Sequence, residues 1–94
     1  MNIGLCTIEL HLPGSNSLKD KRSVLKSVCR RVHNEFNVAI AEVEEQDAWR
    51  SVVLGVVTVS NDAAYTHGLL TRVVEWIENT RLDVDLVDYQ IEML

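Results

Sequence analysis

Ser51-Val52-Val53-Leu54-Gly55-Val56-Val57-Thr58-Val59 is mostly β-branched and runs straight into Ser60-Asn61-Asp62, a stretch of helix N-cap chemistry. A strand that passes directly into a helix is half of a βα unit, and the flanking sequence completes a pair of them. Downstream, Leu69, Leu70, Val73, Val74 and Ile77 recur at helical spacing until Asn79-Thr80, and Leu82 to Ile91 reads as a closing strand. Upstream, residues 2–12 alternate, with Cys6, Ile8, Leu10 and Leu12 on one side and Ile3, Leu5 and Thr7 on the other. Pro13-Gly14-Ser15-Asn16 is a loop by its turn residues. Ser17, with Asp20 three residues on, resembles a capping box in which Asp replaces the usual Glu. Leu18, Leu25, Val28, Cys29 and Val32 then mark a helix ending near His33-Asn34, and Phe36 to Val43 reads as a second strand. Glu44-Glu45-Gln46-Asp47 is a polar connection to the third. The order is βαββαβ. With right-handed crossovers it predicts an α+β, ferredoxin-like βαββαβ sandwich: a four-stranded antiparallel sheet with two helices on one face. Residues 1–94 read as one domain without linker, repeat or low-complexity tract.

The third strand does not fit a sheet covered on one face only. Val52, Leu54 and Val56 point one way, and Val53, Val57 and Val59 the other. A central strand is sometimes apolar on both faces. A second apolar face also suits a cover, and the simplest cover is a second copy of the chain, so a homodimer through the open sheet face is expected.

At 94 residues, with 47% hydrophobic and 24% charged residues, the chain has the composition of a folded globular domain rather than a disordered one. No apolar run approaches the roughly 18 residues of a membrane span. The first residues lack the basic region of a signal peptide, so the expected compartment is the cytosol, with no membrane association. Cys6 and Cys29 sit in apolar phase and read as buried thiols; they and His11, His33 and His67 show no metal-ligand spacing. No metal and no cofactor is expected.

Charge is unevenly placed. Lys19, Lys21, Arg22, Lys26, Arg30 and Arg31 lie within thirteen residues that hold one acid, Asp20, giving that segment +5 against a total of −5. On the helix, Lys19, Arg22, Lys26, Arg30 and His33 form a stripe beside the apolar arc. Arg22–Lys26 and Lys26–Arg30 are like-charge i,i+4 pairs, each disfavouring the helix by about 0.2–0.5 kcal/mol. Such a stripe points to an anionic partner, and Lys19, Lys21, Arg22, Lys26 and Arg30 are the candidate nucleic-acid-binding residues. The competing reading is internal pairing with acids such as Glu42, Glu44 or Asp83. A weaker candidate is an anion-binding loop at Ser15 and Ser17, where hydroxyls and free helix N–H groups meet nearby cations, although ordinary capping also explains Ser17. No P-loop or dinucleotide fingerprint is present. No set of catalytic residues is assembled, and the third strand lacks the aromatics with which an RNA-recognition motif stacks bases.

Ser17-Leu18-Lys19-Asp20-Lys21-Arg22-Ser23-Val24-Leu25-Lys26-Ser27, with Phe36 to Val43, Gln46-Asp47-Ala48-Trp49, Leu54-Gly55-Val56 and Val59-Ser60-Asn61-Asp62, resembles the YlxP-like family of small bacterial proteins, a domain family of unknown function. The resemblance covers essentially the whole chain and implies the same ferredoxin-like fold. It brings no catalytic residues. Genes of that family often neighbour those for translation initiation and ribosome maturation, which by association favours an RNA or ribosome partner.

The sequence thus predicts a non-enzymatic cytosolic protein that binds RNA or a ribosomal particle through its first helix. Its rivals are a dimeric small-ligand-binding regulatory domain and a protein–protein adaptor whose basic helix meets an acidic partner.

Overall fold

The structure, a computed structural model, describes residues 1–94. The elements are β1 (Asn2–His11), α1 (Leu18–Glu35), β2 (Ala39–Glu44), β3 (Ser51–Ser60), α2 (Ala63–Thr80) and β4 (Asp85–Met93). They form one antiparallel sheet in the order β2-β3-β1-β4, the predicted ferredoxin-like arrangement. β1 and β3 are in register from Asn2 opposite Ser60 to His11 opposite Ser51, so each inward residue of one faces an inward residue of the other. Cys6, Ile8 and Leu10 of β1 and Val52, Leu54 and Val56 of β3 meet Leu25, Val28 and Val32 of α1 and Leu70, Val73 and Ile77 of α2 in a single core. α2 lies so close to β1 that a Cβ on Gly4 would stand 2.7 Å from Thr66 Cγ2 and 2.8 Å from Leu70 Cδ1. α1 lies over β2.

Several element boundaries differ from the sequence reading by one to three residues, three of them for an evident local reason. α1 runs to Glu35 rather than His33, because the Phe36 N–H still closes on the Val32 carbonyl. Phe36 is therefore a helix cap, not the start of a strand, and its ring meets Trp76 edge-on with centroids 6.4 Å apart. β2 begins only at Ala39. β4 begins at Asp85 rather than Leu82, because Arg81 and Asp83 hold the intervening turn through two hydrogen bonds of 2.9 and 2.7 Å.

The face of the sheet away from the helices is divided. Ile3 pairs with Val59, Leu5 with Val57 and Val57 with Ala39, while Thr7, Gly55 and Ala41 form the next row. Val43 packs over Gly55 on this face. Toward the other end, Glu9 lies between Val53 and Asp88, and Glu44 pairs with Val53. Across β2, β3 and β1 one half of the open face is apolar and the other acidic, while on the edge strand β4 Glu92 stands opposite Leu5 beside the apolar half. Of the apolar residues on the second side of β3, Val57 and Val59 lie in the apolar half and are 40% and 56% exposed, whereas Val53 is buried among the acids at the other end. No helix is long and apolar enough to cross a membrane.

Candidate nucleic-acid interface

Lys21 does not belong to the surface predicted for it. Its side chain is 2% exposed, and its Nζ pairs with Glu42 Oε2 at 2.8 Å and donates to the carbonyls of Glu45 and Ala48 at 2.5 and 2.8 Å. The cause is its phase: Lys21 precedes Leu25, Val28 and Val32 at spacings of four, three and four, the buried line of α1. Its charge is neutralised inside the fold. It ties the β2–β3 connection to the start of α1, and Glu45, held there by its carbonyl, has a φ of 67°. From the other side, Arg50 donates to the Ser15 carbonyl at 2.8 Å and to Asn16 Oδ1 at 2.9 Å.

The Ser15–Ser17 loop is likewise spent on itself. The Ser15 hydroxyl donates to the Ser17 carbonyl at 3.2 Å, and Ser17 Oγ accepts from the Asp20 N–H at 3.0 Å. Asp20 Oδ2 accepts from the Asn16 N–H at 3.0 Å, so the helix N-terminus already holds a carboxylate of its own. A second anion there would meet that charge. Ser17 is an N-cap, and the hydroxyls of Ser15 and Ser17 are both engaged within the loop.

Lys19, Arg22, Lys26 and Arg30 remain, all exposed. The protein has two ion pairs, Lys21–Glu42 and Arg81–Asp83, and neither involves these four residues. Arg22, Lys26 and Arg30 follow one another at single turns, about 6 Å apart along the axis. From Lys21 to Asn34 the helix has no acid.

Ser23, Ser27, Arg31 and Arg81, none of them among the candidate binding residues, complete the face. Ser23, Lys26, Ser27, Arg30 and Arg31 line a shallow depression of about 330 Å³ on the solvent side of α1, with no apolar side chain and no carboxylate. Arg31 lies over the Trp76 ring, 5.4 Å from its centroid, a contact that favours this placement of the guanidinium. Arg81, 54 residues along the chain from Ser27, donates to the Ser27 hydroxyl at 2.7 Å. The i,i+4,i+8 series Ser23, Ser27, Arg31 was readable as one helical row. Arg81 carried no local signal, since only the tertiary fold brings the turn after α2 against α1. Its side-chain hydrogen bond to Asp83 raises its pKa and lowers that of the Asp83 carboxyl, so the pair stays charged.

The remaining chemistry is muted. Burial pushes the Cys6 thiol up to about 11, and burial with the nearby Glu42 charge raises that of Cys29. Both are poor nucleophiles at neutral pH. On the open sheet face, a depression of about 170 Å³ is bordered by Glu9, Glu44 and Asp88, a lining that repels anions.

Two comparisons place the chain among known proteins. Residues 3–91 match the family described as "Protein of unknown function (DUF503)". The "Uncharacterized protein YlxP" of Bacillus subtilis (strain 168) is 39% identical to this chain over 77 residues, covering 82% of this chain and 84% of that one. Segments that carried the resemblance meet at one corner: Lys21 of the first basic stretch holds the carbonyl of Ala48, beside Trp49. With a match across nearly its whole length and a relative of this similarity, the chain belongs to the DUF503 family.

Proposed function

We propose that this is a non-enzymatic cytosolic binding protein whose first helix docks on RNA, free or carried in a ribosomal particle. The observation behind this reading is the outer face of α1, where Lys19, Arg22, Lys26, Arg30 and Arg31 are all exposed and none is paired with an acid. A helix that merely faced water would interleave Glu among these positions and gain i,i+4 pairs; this one accepts repulsion instead. Its contacts are to phosphates rather than to bases, because the cations are not accompanied by exposed aromatics on that face. If all five engage a single strand, log K falls with log salt at a slope of about −3.5, and each lost contact removes about 0.7. The net charge of −5 works against indiscriminate binding, so the partner is an RNA of defined shape.

The test is co-sedimentation with ribosomal particles at about 0.1 M salt, for the wild type and for Arg22→Glu plus Lys26→Glu. Binding that the charge reversal abolishes, with an unchanged circular dichroism spectrum, supports the reading; no binding by the wild type rejects it. A complex that survives nuclease treatment favours an acidic protein partner instead.

A second copy of the chain is the proposed cover for the apolar half of the open face. Ile3, Leu5, Ala39, Ala41, Val43, Val57 and Val59 present no charge there; Glu92 borders them on the edge strand opposite Leu5, and Glu9, Glu44 and Asp88 lie toward the other end. Two such faces can meet about a two-fold axis with the acids at opposite outer ends.

A further inference from the structure

The hydroxyls of α1 and α2 are disposed differently. In α2, Thr71 donates to the carbonyl of His67 one turn back at 3.1 Å, the usual outlet for a helical hydroxyl. Ser27 stands one turn after Ser23 in the same way, yet makes no such bond. Its oxygen accepts from Arg81 at 2.7 Å, and its own proton has no acceptor in the protein. The Ser23 hydroxyl also makes no hydrogen bond within the protein. Both border the depression lined otherwise by Lys26, Arg30 and Arg31. A site with hydroxyl donors, three cations and no carboxylate is matched by a compact oxyanion with several acceptor oxygens.

Arg81 is held for this purpose from behind. Its Nε and Nη2 donate to the two oxygens of Asp83 at 2.9 and 2.7 Å, leaving Nη1 for Ser27. Its charge is therefore answered by Asp83, and three of its five N–H groups are engaged, at least one on each nitrogen. Held at all three nitrogens, it fixes the direction of the Ser27 oxygen, and its charge is already compensated before any ligand arrives. Arg31, exposed, lies over the Trp76 ring.

We propose that the depression bounded by Ser23, Ser27 and Arg31 seats one phosphate group, with Ser27 donating to it, Lys26, Arg30 and Arg31 balancing its charge, and Arg81 acting as the positioning residue for Ser27. This rests on the anion-binding reading of α1 and names the point in that footprint where one phosphate is held by directed hydrogen bonds rather than by charge alone.

The experiment is a two-dimensional ¹H–¹⁵N NMR titration of the full chain with inorganic phosphate at constant ionic strength, chloride serving as the reference anion. Phosphate is expected to shift the amides of Ser23, Ser27, Arg30 and Arg31 and the Arg81 Nε–H resonance saturably, where chloride does not. Ser27→Ala and Arg81→Lys are expected to weaken phosphate about tenfold, the latter although it keeps the charge, because a lysine cannot hold Asp83 and Ser27 together. Unshifted spectra of both variants away from α1 and the 81–84 turn report an intact fold. A second arm uses an oligouridylate without a terminal phosphate, which separates a chain phosphodiester from a free phosphate. There Ser27→Ala lowers affinity at unchanged salt slope, whereas Arg22→Glu changes the slope. Saturable phosphate binding lost in both variants supports the seat. Shifts no greater than chloride's, or variants that titrate like the wild type, overturn it. RNA binding that survives Ser27→Ala unchanged overturns the seat and leaves the basic face standing; phosphate binding without RNA binding does the reverse.

Discussion

Lys21 shows how a single side chain can change meaning between sequence and structure. By composition it belongs to the most basic stretch of the chain; by phase it belongs to the core line of α1, and phase wins. The signal was legible in the four-three-four spacing to Leu25, Val28 and Val32, but nothing local named Glu42 and the two carbonyls that make burial of an ammonium tolerable. Glu42 Oε2 has no hydrogen bond, so the Lys21 charge is its only compensation. Replacing Lys21 by Met is expected to cost about 3 kcal/mol, the lower end of the range for breaking a buried pair because Glu42 keeps some contact with water. Lys21→Met with Glu42→Gln should recover part of that loss, as read from urea midpoints; equal midpoints for single and double variants would reject the pairing as the source. Cys6 supplies a pH dependence. Its thiol is held neutral to about 11, above the usual 9.0, so its contribution to stability is complete below pH 9 and is lost as pH rises from 9 to 11. Iodoacetamide at pH 8 is expected to leave Cys6 unmodified in the native protein and to label it in urea.

Among the elements, α1 is less stable than its length and capping allow. Arg22–Lys26 and Lys26–Arg30 repel along its outer face with no acid between them. Lys26→Glu turns both repulsions into attractions. It is expected to raise stability by about 1 kcal/mol, four increments of a few tenths, while weakening RNA binding by at least tenfold. Stability gained where binding is lost would mark the stripe as kept for function; a fall in both would mark it as structural. The helix, its cap at Ser17 and its apolar line were readable from periodicity and capping chemistry. The start of β2 was not, because Phe36 and Val38 look like strand residues and only their packing beside Trp76 and the core shows otherwise. The turn at Arg81–Asp83 escaped for the same reason. Leu82, almost fully exposed, has a strand-like neighbourhood in sequence, while the bidentate pair that bends the chain there is settled by geometry.

At the scale of the whole molecule, the element order fixed the topology because each strand and helix carried its own period; the two-sided pattern of β3 indicated an apolar open face, but not the acids that occupy part of it. What local sequence could not convey is which distant segments share a surface: Arg81 with Ser27, or Glu9 with Glu44 and Asp88. The apolar half of that face covers three strands by about five residues, roughly 14 by 17 Å, small beside the roughly 800 Å² per partner of a stable interface. Self-association is therefore expected to be weak. Sedimentation equilibrium between about 10 and 500 μM should show the mass rising above 10.6 kDa, and Val57→Asp should hold it there; a wild type that stays monomeric throughout would remove the second copy as the cover. The segregation of charge also makes the molecule an electric dipole, cationic on the outer side of α1 and anionic on the far side of the sheet, within a body 19–22 Å across its shorter axes. A polyanion feels both poles only when the screening length exceeds that thickness. At about 0.01 M salt, where it reaches about 30 Å, the net −5 opposes approach. Near 0.1 M, where it is about 10 Å, only the nearer pole acts and the molecule arrives α1 first. The association rate with RNA in stopped flow is accordingly expected to rise and then fall as salt increases, and a monotonic fall would mean that the acidic pole plays no part in the encounter.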